Sequence, residues 1–109
     1  MPEIIAVATA QATTNAYVPG GFMRFKVPTN MTHVVFWIKE LDVHTITFKV
    51  MGSMDGVDYT SEVIAATDVA KGTQTFTADI VSPWRYLDCQ VQAKVGGAQG
   101  SVTAYAVGN

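Results

Sequence analysis

From Arg85 to Val95 the chain reads RYLDCQVQAKV, an alternation that sets Leu87, Cys89, Val91, Ala93 and Val95 on one side of an extended strand. Tyr86, Asp88, Gln90, Gln92 and Lys94 fall on the other side, so the pattern predicts a strand with one buried face and one wet face. The period recurs in HTITFKVM, with Ile46, Phe48 and Val50 expected inward and Thr45, Thr47 and Lys49 outward. In QTFTADI it places Phe76, Ala78 and Ile80 inward. Segments rich in Val, Ile, Thr and aromatic residues predict further strands over 4–9, 22–27, 33–40, 59–65 and 101–107.

Turn-forming clusters separate these runs: Pro19-Gly20-Gly21, Pro28-Thr29-Asn30, Lys71-Gly72-Thr73, Ser82-Pro83 and the Gly-rich stretch 96–100. Residues 65–71 have a helical look but are long enough only for a turn of helix. Residues 10–21, AQATTNAYVPGG, show no periodicity and are expected to form a long loop. About eight short strands without crossover helices predict an all-β antiparallel sandwich of jelly-roll type, with a small β-barrel as the alternative. The expected division is an N-terminal strand, or arm, and loop over 1–21 and a sandwich body over 22–109, one domain overall.

One segment departs from simple alternation. In HVVFWIKEL, Val34, Phe36 and Ile38 form one apolar face, but Val35 and Trp37 make the opposite face apolar as well. A sandwich strand ordinarily buries one side only, so Trp37 requires a cover. Two covers are open: a loop or the N-terminal arm of the same chain, or a partner at an interface, where Trp and Tyr commonly serve as anchors. Tyr17, Phe22, Met23, Trp84 and Arg85, placed near predicted loops and strand ends, join Val35 and Trp37 as candidate contact residues.

Composition narrows the partners. Of 109 residues 49% are hydrophobic and only 15% charged, against about 25% charged in an average soluble domain, so part of the surface is expected to be covered. A formal net charge of −2 offers no electrostatic footprint for nucleic acid. The N-terminus lacks the basic region of a secretory signal, and no apolar run is long enough to span a bilayer, so synthesis in the cytoplasm and no membrane partner are expected. One cysteine rules out an internal disulfide framework.

Reactive chemistry finds little footing. GSMDGVDYT, residues 52–60, places Asp55-Gly56 between two predicted strands, the arrangement of a hairpin turn in which glycine accepts positive φ. The competing reading is a calcium loop, but Asp55, Asp58 and Glu62 lack the ligand spacing of an EF-hand. His33 and His44 belong to no metal-binding pattern, and Cys89 points to the predicted core, where a thiol behaves as a small hydrophobe. Nothing in the spacing of the carboxylates proposes an acid–base pair, and the Gly-rich 96–100 stretch precedes a strand instead of a helix. No catalytic residue, metal ligand or cofactor is expected.

Two motifs in order, VMGSMDGVDYTSEV and SPWRYLDCQVQA, are similar to the hairpin and later strand start of discoidin-like jelly-rolls, through Ser53, Asp55, Gly56 and Tyr59 and then Arg85, Tyr86 and Leu87. That resemblance implies a sandwich. The alternative function is a carbohydrate- or receptor-binding module, in which Trp84, Arg85 and Tyr59, aromatic faces with an Arg, form a shallow sugar platform. Where the discoidin pattern continues with a second Arg, this chain has Asp88. Together with the closing GGAQGSVTAYAVGN, the chain also resembles the small β-sandwich structural proteins of tailed bacteriophages, the capsid decoration or cement class. This second resemblance implies a non-enzymatic virion protein on the capsid surface, partnered by the major capsid protein and by copies of itself, with residues 1–21 free to add a strand to a neighbouring sheet.

Overall fold

The computed structural model describes residues 3–13, 16–40, 45–70, 72–77, 79–81, 84–93 and 101–109. Among them the regular elements are strands: β1 (Glu3–Ala12), β2 (Met23–Lys26), β3 (His33–Glu40), β4 (Ile46–Ser53), β5 (Ser61–Val69), β6 (Gln74–Phe76), β7 (Ile80–Val81), β8 (Tyr86–Ala93) and β9 (Ser101–Gly108). They form the expected antiparallel sandwich. Sheet A has the order β1-β9-β3-β6, with β7 also paired to β3, and sheet B the order β2-β8-β4-β5.

The pairings nest: β4 with β5, β3 with β6 and β7, β2 with β8, and β1 with β9. The chain is therefore one long hairpin whose rungs fall alternately in sheet B and sheet A, and β4–β8 and β3–β9 pairing then closes each sheet. This is a jelly roll. Its tip is the Asp55-Gly56 turn. Gly56 has φ 79°, and the Ser53 hydroxyl accepts the Gly56 N–H at 3.0 Å while donating to Asp55 Oδ1 at 2.9 Å. Asp55 Oδ1 also accepts the N–H groups of Val57 and Asp58, each at 2.9 Å. The carboxylate thus closes the turn by acting as a local acceptor.

Between the sheets lie Phe36 and Ile38 from β3, Ile46, Phe48 and Val50 from β4, Leu87, Cys89 and Val91 from β8, and Val102, Ala104 and Ala106 from β9, all buried. Each large apolar side chain here contributes about 1.5–3 kcal/mol by leaving water. Phe25 of β2 reaches across to Phe36 with ring centroids 5.8 Å apart. Gly52 is required by close packing: a Cβ there would stand 2.6 Å from both the Trp84 ring and Val63.

Several expectations are corrected. Residues 65–69, expected to begin a helical turn, continue β5, and Thr47 holds Asp68 with a 3.0 Å hydrogen bond. The loop expected from residue 10 starts later, because β1 runs to Ala12, and residues 3–12 pair with β9 of their own chain. Phe76 is exposed, not inward. Trp37 pairs with Phe76 and Val34 with Ile80, so four steps along 76–80 match three along β3, and this extra residue reverses the face. Ile80 is buried as expected. Ala78, Lys71 and the Gly-rich stretch 96–100 lie outside the described residues.

Candidate functional site

The outer face of sheet A carries a contiguous apolar surface. Register places Val7 beside Tyr105, Tyr105 beside Trp37 and Trp37 beside Phe76, one row across four strands. A second row, Ile4, Val107 and Val35, runs alongside. Trp37 and Tyr105 stack with ring centroids 5.3 Å apart, and the Trp37 indole N–H donates to Gln74 Oε1 at 2.9 Å. These contacts keep Trp37 half-buried and orient its ring, while Phe76 and Ile4 remain 67% and 62% exposed. Scattered exposed apolar residues are ordinary; a contiguous aromatic face is not.

Two hollows indent this face. One, of 390 Å³, is lined by Ile4, Trp37, Phe76, Tyr105 and Val107. The other, of 470 Å³, shares Phe76 and Val107 and extends to His33, Val35 and Asp79. Phe76 therefore stands as a ridge beside a depression. Alternation along β3 puts Lys39 at the far end of the same face, next to Gln74 across the strand pair.

Sheet B presents the opposite character. Asp88, expected to point to water, does face outward but is 0% exposed, and Gln90 is buried with it. The cause is the segment 16–21, which crosses this face. The Gly20 N–H donates to both Asp88 carboxylate oxygens at 3.2 and 3.1 Å, Arg24 reaches Oδ2 at 2.9 Å and the Gln90 amide donates to the same oxygen at 2.8 Å. Beside this clasp the Lys49 ammonium lies 4.4 Å from the Tyr17 ring centroid. Burial, with the Asp68 and Glu62 charges adding to it, raises the Tyr17 hydroxyl above its ordinary pKa.

The sequence candidates separate accordingly. Val35 and Trp37 lie on the sheet A face. Tyr17 belongs to the sheet B clasp, Met23 is a core residue at 4% exposure, and Phe22 packs against the core. Trp84 and Arg85 line a 280 Å³ cleft at the end of the sandwich with Val27, Pro28, Met31 and Met54. Tyr59 is not part of that cleft: its ring lies under the Arg24 guanidinium at 4.0 Å, on the outer side of sheet B. The three residues of the expected sugar platform are thus divided between two places. Sequence reasoning missed Ile4, Phe76, Tyr105 and Val107. The signal for Tyr105 and Val107 was present, since they alternate with Val102, Ala104 and Ala106; for Phe76 it was masked by the bulge.

Among the described residues no group of three His, Cys, Asp or Glu side chains lies close enough to hold a metal ion. Cys89 is fully buried, and burial, then the nearby Asp88 charge, pushes its thiol far up, disfavouring the nucleophilic thiolate. His33 is exposed at the start of β3 with its Nδ1 3.0 Å from the Thr32 hydroxyl, and His44 lies outside the described residues.

No protein-family model matches the chain, and no curated protein does. Among solved structures, a chain of the infectious bursal disease virus Gx strain aligns with TM-score 0.51 and 15% identity over 99% of this chain and 33% of its own length. This chain therefore spans about a third of that one. A chain of the Triatoma virus empty capsid aligns with TM-score 0.50 and 12% identity over 100% of this chain and 86% of its own. At these identities the shared property is the fold: the jelly-roll sandwich of this protein is also the build of chains in these viral structures.

Proposed function

We propose that the chain is a structural protein of a virus particle, specifically a bacteriophage capsid decoration protein that binds the outside of the assembled head. The single observation that carries this reading is the bare aromatic face of sheet A on a jelly roll, the fold shared with the virus structures above. A protein that keeps Trp37, Tyr105, Phe76 and Ile4 together on one open surface gains free energy when a neighbouring chain covers them. In a particle, such contacts stabilise the shell by mass action, because the decorating chain binds the assembled state. Among the described residues no strand pairs with the outer edges of β1 and β5, and these edges serve the attachment itself, by strand addition to a capsid chain. That role needs neither turnover nor cofactor.

The test is co-sedimentation with undecorated, empty bacteriophage shells. Saturable pelleting at a fixed stoichiometry, with shells that then melt at higher temperature, is the expected result. A chain that stays in the supernatant at every concentration overturns the reading.

A further inference from the structure

We infer that the aromatic face of sheet A is covered by the same face of a second copy of this chain, in a two-fold dimer. The inference rests on the reading of this face as a protein contact and names its occupant. Three features of the surface fit a second copy. The first is shape: Phe76 projects at 67% exposure beside a shallow, wide-open depression of 390 Å³ bordered by Trp37, Tyr105 and Ile4. A two-fold axis lying between the stacked faces and running across the strands sets the Phe76 of each copy against the depression of the other, the self-complementarity that an isologous interface demands.

The second is charge. The apolar rows are bounded at one end of β3 by Lys39 and at the other by Asp79, which lines the hollow reaching His33. Rotation about an axis that runs across the strands exchanges the ends, so Lys39 of each copy meets Asp79 of its partner. Opposite charges placed this way set register and disfavour a parallel pairing, which would bring like charges together.

The third is size. The molecule measures 38 × 29 × 19 Å, and its thin dimension suits two sheets stacked about 10 Å apart. A broad face is then on the order of 1,000 Å², enough for the roughly 800 Å² per partner of a stable interface. Packing two such faces produces a four-layer body, with the clasped sheet B faces outermost.

The experiment is sedimentation velocity on the full chain across a concentration series, without any shell present. The expected result is a concentration-dependent species of twice the 11.7 kDa chain mass. Phe76→Glu and Ile4→Asp, both at exposed positions of the single chain, are expected to hold the mass at that of one chain and to leave urea unfolding unchanged when it is measured at concentrations where the parent chain is also a single copy. Lys39→Glu and Asp79→Lys should each weaken dimerisation by about tenfold, and the double exchange should restore most of it. A chain that sediments as a single copy at every concentration overturns the inference, as does a dimer indifferent to both Phe76→Glu and Ile4→Asp. The outcomes separate from those above: a monomer that pellets with shells removes the second copy and leaves the decoration role, whereas a dimer that ignores shells does the reverse.

Discussion

The two outer faces of the sandwich arise from the same two-residue period and end with opposite surfaces. On sheet B the outward positions are mostly polar, Arg24, Lys26, Thr47, Lys49, Asp88, Gln90 and Gln92 with Met51 and Tyr86 among them, and residues 16–21 lie across part of this face. On sheet A the outward positions include the apolar rows Val7, Tyr105, Trp37 and Phe76 and Ile4, Val107 and Val35, with Lys39, Thr103 and Gln74 at one end and His33 at the other, and among the described residues no segment crosses them. The chain therefore spends its own loop on the polar face and leaves the apolar one open. A charged group can be buried when its partners are delivered with it, and Gly20, Arg24 and Gln90 supply Asp88 with four hydrogen bonds. An apolar surface needs no such pairing and can be covered by any complementary neighbour, which makes it the face available for association.

The sharpest way to break this contrast is at the clasp. Asp88→Ala leaves the Gly20 N–H, the Gln90 amide and the Arg24 guanidinium without their common acceptor, and should cost about 3 kcal/mol in urea-induced unfolding. Asp88→Asn, which keeps an acceptor oxygen, should cost less. A fold that tolerates Asp88→Ala without change would show that segment 16–21 is held by other contacts.

Tyr17→Ala comes next, with an expected loss of about 1–2 kcal/mol from its packing and its contact with Lys49. The same group gives a pH signature. Its folded pKa lies above the ordinary 10.0, so the neutral hydroxyl is the favoured form in the clasp; its contribution is complete below pH 10 and is lost as pH rises through the raised value. Tyrosine absorbance followed against pH, with and without Lys49→Met, reads this directly.

On sheet A the expected effect on folding is small. At concentrations where the protein is a single copy, Ile4→Thr should move unfolding by no more than about 0.5 kcal/mol, because the side chain is then in water. A large loss there would mean that the monomer itself depends on this face. The smallest effect is expected at the tip of the roll, remote from both faces. Hydrogen bonds from Asp58 and Val57, then Ser53, hold the Asp55 carboxyl down to about 2 from 3.8. The ionised form is the one the turn uses, so its support is complete above pH 3.8 and is lost as pH falls through about 2. Amide exchange at Val57 and Asp58 should quicken over that window while the core amides of β8 stay protected.

Most of the strand inventory was legible from alternation, because burial of one face per strand writes itself into every second residue. Leu87, Cys89 and Val91 of β8, and Ile46, Phe48 and Val50 of β4, point to the core as their pattern requires. The turn at Asp55-Gly56 was legible for the equally local reason that few residue pairs accept its backbone geometry. The unusual two-sided apolarity of β3 also marked Trp37 before any fold was known. Phe76 failed this test since one extra residue between β6 and β7 reverses parity, and a bulge of that kind leaves no composition trace in so short a run.

Local chemistry by itself therefore determined the all-β class, most strand positions and inward faces, and the tip of the hairpin, each a consequence of short-range periodicity and backbone sterics. Only the tertiary structure decided the nesting of the roll, the burial of Asp88 beneath Gly20, the parting of Tyr59 from Trp84, and the gathering of Ile4, Trp37, Phe76 and Tyr105 onto one surface. Those outcomes depend on which distant strands become neighbours, and a two-residue period states which side of a strand is apolar without stating what will lie against it.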